Sequence, residues 1–378
     1  MNLDTRIDVV LGRMVPENID LLIAASNGLH LLDRPDPAVH LGGYRSLGEC
    51  LFLLYRDGTR KLIVSPAADD ERVAAWRGLS GCIATDDIAG ALARELTERG
   101  TVAGRIGTAG VDALPHRLAA RLLALTGGHT RSFDDLLDAA TGRKTSAEIE
   151  RARRAVAIAE RGLDRLLKAA RPGMPECELA VGLNCYTKSL GADDNFLMLS
   201  ASPHNRAVMP SSGRRLAPGD ILLTEFTPSY EGQFAQICRT ISVGSPSAEL
   251  EETYDLVVRA MWAGIEAIRP GIPISEVCRA VDRVFEAAGY REYCQPPHMR
   301  RRGHGLGSGS IAPGDLTTNN DRVLEEDMIF VVHPNQYIPG TGYLLCGEPV
   351  RVTATGVETL TARTAALGVI PIGSVPCA

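Results

Sequence analysis

No apolar run in this 378-residue chain approaches the ~20 residues that a membrane-spanning helix needs; runs such as Met328-Ile329-Phe330-Val331-Val332 are far shorter. Met1 to Ala25 lacks the apolar core of a secretory signal, so a cytoplasmic protein is expected. Positive charge is not in excess either. Lys and Arg number 40 against 46 Asp and Glu, a net charge of −6, which supplies no field for phosphodiester backbones or anionic lipid, so neither nucleic acid nor membrane is expected as a partner. The nine cysteines (50, 82, 177, 185, 238, 278, 294, 346 and 377) are odd in number and contain no CxxC pair. Reduced thiols fit this pattern, and a zinc knuckle does not. Neither a GxGxxG nor a GK[ST] loop leads from a strand into a helix, and no G-x-S-x-G elbow occurs, so nucleotide binding and a serine-hydrolase triad have no signature.

What is present is an ordinary globular composition, 45% hydrophobic and 23% charged, in a chain long enough for two domains. From Ile19 to about Leu137, short apolar strands (Asp20 to Ala24, Cys50 to Tyr55, Lys61 to Ser65 around the turn Asp57-Gly58) alternate with helical stretches near Ile88 to Arg99 and His116 to Leu125. This reads as an α/β domain over residues 1–140. A boundary falls at Thr141-Gly142-Arg143-Lys144. Thr145 and Glu148 then form a capping box, and Ile149, Ala152, Val156, Ala159, Leu163, Leu166 and Ala170 mark one face of a long helix. The second domain is expected to span residues 141–378.

That second part repeats itself. Arg171-Pro172-Gly173-Met174-Pro175 returns as Arg269-Pro270-Gly271-Ile272-Pro273, 98 residues later, each copy following a long amphipathic helix. Downstream, Asp220 to Glu225 and Asp327 to His333 are each an acidic turn residue, an apolar strand and a polar residue near the strand end. Two strand pairs related by a pseudo-twofold would carry Glu225 and His333 toward one central cleft.

From Thr145 onward, Gly303-His304-Gly305-Leu306-Gly307, the run His333-Pro334-Asn335-Gln336-Tyr337-Ile338-Pro339-Gly340 with Gly347-Glu348-Pro349-Val350, and Glu225 to Cys238-Arg239-Thr240 resemble the pita-bread superfamily of creatinase, aminopeptidase P, prolidase and methionine aminopeptidase. The first part resembles the creatinase-type N-terminal domain. The resemblance implies an α+β, creatinase-like two-domain fold and a homodimer. In the metallopeptidases of that superfamily, two Asp eleven residues apart, the His of the GHG motif and two Glu about fourteen apart hold two divalent cations. Here Glu225 and Gln236 fall on the Asp positions, His333 and Gly347 on the Glu positions, and only His304 matches; Ile311 stands where a further His is usual. One Glu, one amide and one glycine offset the repulsion of two cations poorly, so no metal and no other cofactor is expected.

Creatinase is the metal-free branch, and Pro203-His204-Asn205 resembles its catalytic His-Asn, with His304 in the shared GHG context. The expectation is therefore a metal-independent enzyme that hydrolyses a C–N bond of a small molecule. His204, Glu225, His304 and His333 would do acid–base work, and Phe234, Gln236 and Glu348 would shape the substrate pocket. Two readings stand beside it. Glu225, His304 and His333 form a two-His-one-carboxylate set suited to one metal ion in a peptidase or lyase, and the fold also suits a non-catalytic scaffold that binds a ligand or protein. Cys238 reads as a small strand residue before a nucleophile, Arg300-Arg301-Arg302 as a solvated basic loop, and Gly305 to Ser310 as a turn before a phosphate cradle.

Overall fold

The computed structural model describes residues 3–30, 32, 36–76, 79, 81–103, 105–128, 130–308 and 311–372; Gly309 and Ser310 of the glycine-rich segment and Cys377 lie outside the described residues. The chain divides into two compact units. One is built from residues up to Ser146 with a short segment at Ser308 and Ile311, the other from Ala147–Gly307 and the residues from Ala312 on.

In the first unit the strands β1 (Leu21–Ser26), β2 (Cys50–Tyr55), β3 (Arg60–Val64), β4 (Cys82–Ala84), β5 (Ile106–Ala109) and β6 (Arg131–Ser132) form a sheet in the order β4-β3-β2-β1-β5-β6. The helices of this unit are α1 (Leu3–Met14), α2 (Pro37–Gly42), α3 (Asp70–Ala75), α4 (Ile88–Glu98), α5 (His116–Leu125) and α6 (Asp134–Thr141). Strand alternation explains the near-continuous apolar runs. Leu22, Ala24, Phe52, Leu54, Leu62 and Val64 enter one core, while Leu21, Ile23, Leu51, Leu53 and Ile63 enter a second core on the opposite face. The turn at Asp57-Gly58 closes with Gly58 at φ 83° and its N–H donating to the Tyr55 carbonyl.

The second unit opens with α7 (Ser146–Ala169) and α8 (Glu176–Ser189), followed by β7 (Asp194–Ser202), β8 (Ile221–Tyr230), β9 (Gln233–Phe234) and β10 (Ile237–Val243). Its second half runs α9 (Ala248–Glu266), α10 (Ile274–Ala287), β11 (Gly303–Gly305), β12 (Ile329–Val332), β13 (Gln336–Ile338), β14 (Gly342–Leu344), β15 (Glu348–Val352), β16 (Val357–Thr359) and β17 (Gly368–Ile370). Strands β17-β10-β8-β7 form one sheet, with β9 paired to β8; β11-β12-β15-β16 form another, and β13-β14 are a separate hairpin.

The sequence repeat is a structural repeat. Gly173 and Gly271, at φ 86° and 89°, stop α7 and α9, and their N–H groups donate to Leu216 and Leu324. Pro175 then bridges Arg215 as Pro273 bridges Val323, and each helix that follows docks on an extended segment ahead of the next long strand. Within each half the apolar faces of the helices cover one side of a sheet: α7 and α8 lie over Leu222, Phe226 and Ile241 of β8 and β10, while α9 and α10 lie over Phe330, Val332, Val350 and Val352 of β12 and β15. The two sheets meet at one bridge. Cys238 and Gly347 exchange both backbone hydrogen bonds, at 3.2 and 3.0 Å.

Candidate functional site

Register decides which residues of β8 and β10 share a face. Phe226 points at Gly162 of α7, so its neighbour Glu225 points the other way, with Cys238 of β10 directly opposite and Met198 of β7 on its other flank. Glu225 sits on the inner side, where β10 meets the segment before β15. The Asn335 side-chain N–H reaches Glu225 Oε1 at 3.4 Å from the segment that joins β12 to β13.

His333 stands immediately after β12, its backbone N–H fixed on the Arg302 carbonyl at 2.9 Å. β11 lies alongside β12, with His304 opposite Val331, and the His304 and His333 rings meet edge to face with centroids 5.2 Å apart. His304 Nδ1 donates to the Gly305 carbonyl at 3.0 Å, so a neutral ring carries its lone pair on Nε2. His333 is 4% exposed. Burial above all, then the neighbouring His304 and Arg301, hold it well below the ordinary imidazole value, and it is neutral at neutral pH.

Several buried polar atoms converge here with no partner in the protein: Gln236 Oε1, His333 Nδ1 and Asn335 Oδ1. Buried polar atoms are costly unless something bonds them, so such a set marks a place that a ligand or water completes. On the same inner face of β8 beyond Glu225, the Thr227 and Ser229 hydroxyls are likewise buried and unpartnered. Phe234 lies opposite Ser229 in the β8–β9 pair and is 4% exposed.

The structure thus sets His304 against His333, Glu225 against Asn335 two residues further on, and Gln236 against Cys238, the residue opposite Glu225. His204 is placed differently. It is an exposed rim residue, its Nε2 2.8 Å from the Pro339 carbonyl and its ring edge-on to Tyr337 at 5.8 Å. Tyr337 in turn stacks on His298 at 5.4 Å. Glu348 is not brought to this group at all. Adjacent residues of a strand point to opposite faces, and Glu348 turns into the core, where it pairs with Arg239 and accepts from Thr361. Arg302, from the run read as a solvated loop, is fully buried and bonded to Asp282, the Asn335 carbonyl and Gln336.

Two site residues were missed by the sequence reading. Asn335 contacts Glu225 directly, and the phenol of Tyr343 of β14 is buried where the Glu225 charge and the Asn335 side chain act on it. Burial first, then the Glu225 charge, push the Tyr343 phenol up, so it is a neutral group at any physiological pH. The signal lay in the hairpin. Gly342, at φ 80°, has the backbone of Asn205 where a Cβ would stand, and the Tyr343 N–H donates to the Asn205 carbonyl at 2.7 Å, which pins the ring that follows. Cys238 is a packed strand residue: burial and then Glu225 raise its thiol well above the ordinary range, the reverse of what a thiolate nucleophile needs.

Comparison with known proteins follows the same lines. The profile of metallopeptidase family M24 matches residues 150–357. An uncharacterized peptidase of Staphylococcus aureus (strain USA300) is 30% identical over 247 residues, 63% of this chain and 68% of that protein. The uncharacterized peptidase YqhT of Bacillus subtilis (strain 168) is 30% identical over 221 residues, 58% of this chain and 62% of that protein. Among solved structures, the prolidase from Pyrococcus horikoshii OT3 superposes with a TM-score of 0.83 at 20% identity, over 96% of this chain and 99% of that one. The Xaa-Pro dipeptidase from Bacillus anthracis does so with 0.82 at 23% identity, over 97% and 100%. These similarities establish the fold expected from the sequence, an α/β first unit and a pita-bread second unit.

Proposed function

The chain belongs to metallopeptidase family M24, and from that premise we propose that it is a hydrolase of C–N bonds in a peptide or small amide, working through Glu225, His304 and His333. The observation that supports this reading is a carboxylate that accepts from Asn335, two residues after His333, beside a pair of edge-to-face imidazoles of which one is hydrogen-bonded and one neutral. The relatives named above favour the peptide end of this range over a creatinase-type metabolite.

The family implies divalent cations, and the donor set here does not fit a pair of them. Of the side chains at the expected ligand positions only Glu225 carries negative charge, since Gln236 is an amide, His333 is neutral and Gly347 has no side chain. Among the described residues no group of three or more His, Cys, Asp and Glu side chains is arranged to hold a metal ion. The steps are therefore assigned to the chain's own groups. Glu225 takes a proton from water as the water oxygen bonds to the carbonyl carbon, and the carbonyl electron pair moves to oxygen. The neutral His333 ring, whose Nδ1 has no partner in the protein, donates its N–H to that oxygen. The C–N bond then breaks, and the proton held by Glu225 goes to the departing nitrogen. His204, Tyr337 and Phe234 shape the surroundings of the substrate.

A second reading keeps the hydrolysis but places one cation on Glu225, His304 and His333, which would have to draw together around it, since they are not arranged as a ligand set here; kinship with a metallopeptidase family favours it. The deciding assay measures amine release from a panel of dipeptides, including Xaa-Pro, and of small amides and amidines. The chain is first stripped with EDTA, then supplied with Mn2+, Co2+ or Zn2+. Activity that survives stripping and falls by roughly 10²–10⁴-fold in Glu225→Gln is the expected result. Activity that appears only with added metal establishes the second reading. A folded chain inactive on every panel member under both conditions would overturn the hydrolase assignment.

A further inference from the structure

We infer that His333, Cys238 and Gly347 form a coupled packing set that closes the position where a fifth ligand would complete a two-cation cage, so that the cleft cannot be returned to a cation pair by restoring a carboxylate alone. Gly347 is fourteen residues after His333, and its backbone is held on three sides. It exchanges both hydrogen bonds with Cys238, and its carbonyl also accepts from Arg239 at 3.0 Å. The residue cannot move away from its neighbours without breaking the bridge that joins the two sheets.

In that fixed place a Cβ would lie 2.7 Å from His333 Cβ, 3.0 Å from Cys238 Sγ and 3.1 Å from Cys238 Cβ. Real carbon atoms do not approach so closely, and the nearest obstacle is the stem of a side chain, not a flexible end that could rotate aside. Gly347 does not have the left-handed backbone that would by itself demand glycine, so it is space and not conformation that excludes a side chain. The two residues that fill the space are both tightly buried, His333 at 4% and Cys238 at 0% exposure. His333 itself stands at the other Glu position of the resemblance. An imidazole there, a thiol across the bridge and a bare α-carbon between them therefore explain one another.

Charge points the same way independently of sterics. Two divalent ions a few ångströms apart need several carboxylates around them, and Glu225 supplies one. The closure holds whether or not the cleft is hydrolytic, so its test uses no substrate.

Two measurements on the full chain decide it. In urea unfolding, Gly347→Ala is expected to lower the midpoint in the wild-type background and to lower it much less when His333 has already been changed to Gly, because that change removes the Cβ at 2.7 Å. Equal losses in the two backgrounds would overturn the coupling. If Gly347→Ala does not fold at all while Gly347→Ala/His333→Gly does, the coupling is established in its strongest form. Separately, equilibrium dialysis against Co2+ with elemental analysis is expected to find fewer than two ions per chain at saturation, in the wild type and in Gly347→Glu alike. Two Co2+ bound per wild-type chain, or two gained on Gly347→Glu alone, would overturn the closure. One ion per chain leaves the closure standing and supports the single-cation form of the function, so the two assignments fail separately.

Discussion

At the scale of single residues, the site is set by which atoms are left without partners. Asn335 donates to Glu225 while its own carbonyl oxygen stays unpartnered, and the buried Tyr343 phenol faces the same pair. A neutral phenol at this point is a hydrogen-bonding group and not a base. Tyr343→Phe removes a buried phenol oxygen beside Asn335 and Glu225, and it is expected to lower stability by about 1 kcal/mol in urea unfolding. An unchanged midpoint would mean that the Tyr343 hydroxyl contributes nothing to stability in solution. The repeat marked Glu225 and His333, because each stands at or beside the end of an apolar strand, and the resemblance carried by the GHG motif marked His304. Asn335 and Tyr343 were illegible, since nothing local says that a loop amide and a hairpin phenol converge on a carboxylate more than a hundred residues away.

At the scale of elements, close approach of a helix and of a strand to their neighbours sets the geometry. α7 crosses β8 at Gly162, where a Cβ would lie 2.9 Å from the Phe226 ring, and Phe226 is fully buried. Alanine at 162 would improve intrinsic helix propensity by ~1 kcal/mol. Overpacking of a buried ring outweighs this, so Gly162→Ala is expected to be net destabilising by about 1 kcal/mol, and Gly162→Val by more. A stabilised Gly162→Ala would show that the helix can shift freely over the sheet. In the first unit, Asp69 ahead of α3 is fully buried. Burial alone would raise its carboxyl, but Arg72 and the Leu47 N–H hold it below its ordinary value of 3.8. A depressed acid stabilises the fold above its unfolded value, and that contribution disappears as pH falls through the native one. Asp69→Asn is therefore expected to cost about 1–2 kcal/mol at pH 7, discounted for the half-exposed Arg72, with the gap to wild type closing as pH falls through the depressed native value. A gap that persists undiminished into acid would assign the loss to packing instead of charge.

At the scale of the second unit as a whole, its two half-sheets are tied by a buried ion pair. Arg239, 3% exposed, bonds the carbonyls of Cys238 at 2.8 Å and of Gly347 at 3.0 Å and pairs with Glu348, 1% exposed. Removing one member leaves a buried charge uncompensated, so Arg239→Met is expected to destabilise by roughly 3–5 kcal/mol, and adding Glu348→Gln should return part of it. If the double variant is no better than the single, the carbonyl contacts of Arg239, not its charge, hold the sheets together.

The sequence by itself determined the alternating first unit, the doubled second unit and the repeat that places Glu225 and His333 at comparable strand ends, because periodicity and repeats are properties of the chain written in order; Gln236 and His304 were marked only through the family resemblance. It did not determine which way those strand ends face. Glu348 was expected at the pocket and lies in the core, one residue from Gly347, because a strand sends successive side chains to opposite faces and only the Cys238–Gly347 bridge fixes the phase. His204 was expected at the chemistry and stands on the rim, held there by Pro339 from a hairpin 135 positions away. Contacts of that separation arise only when the two halves have folded against one another, and they decide which of the marked residues share the cleft.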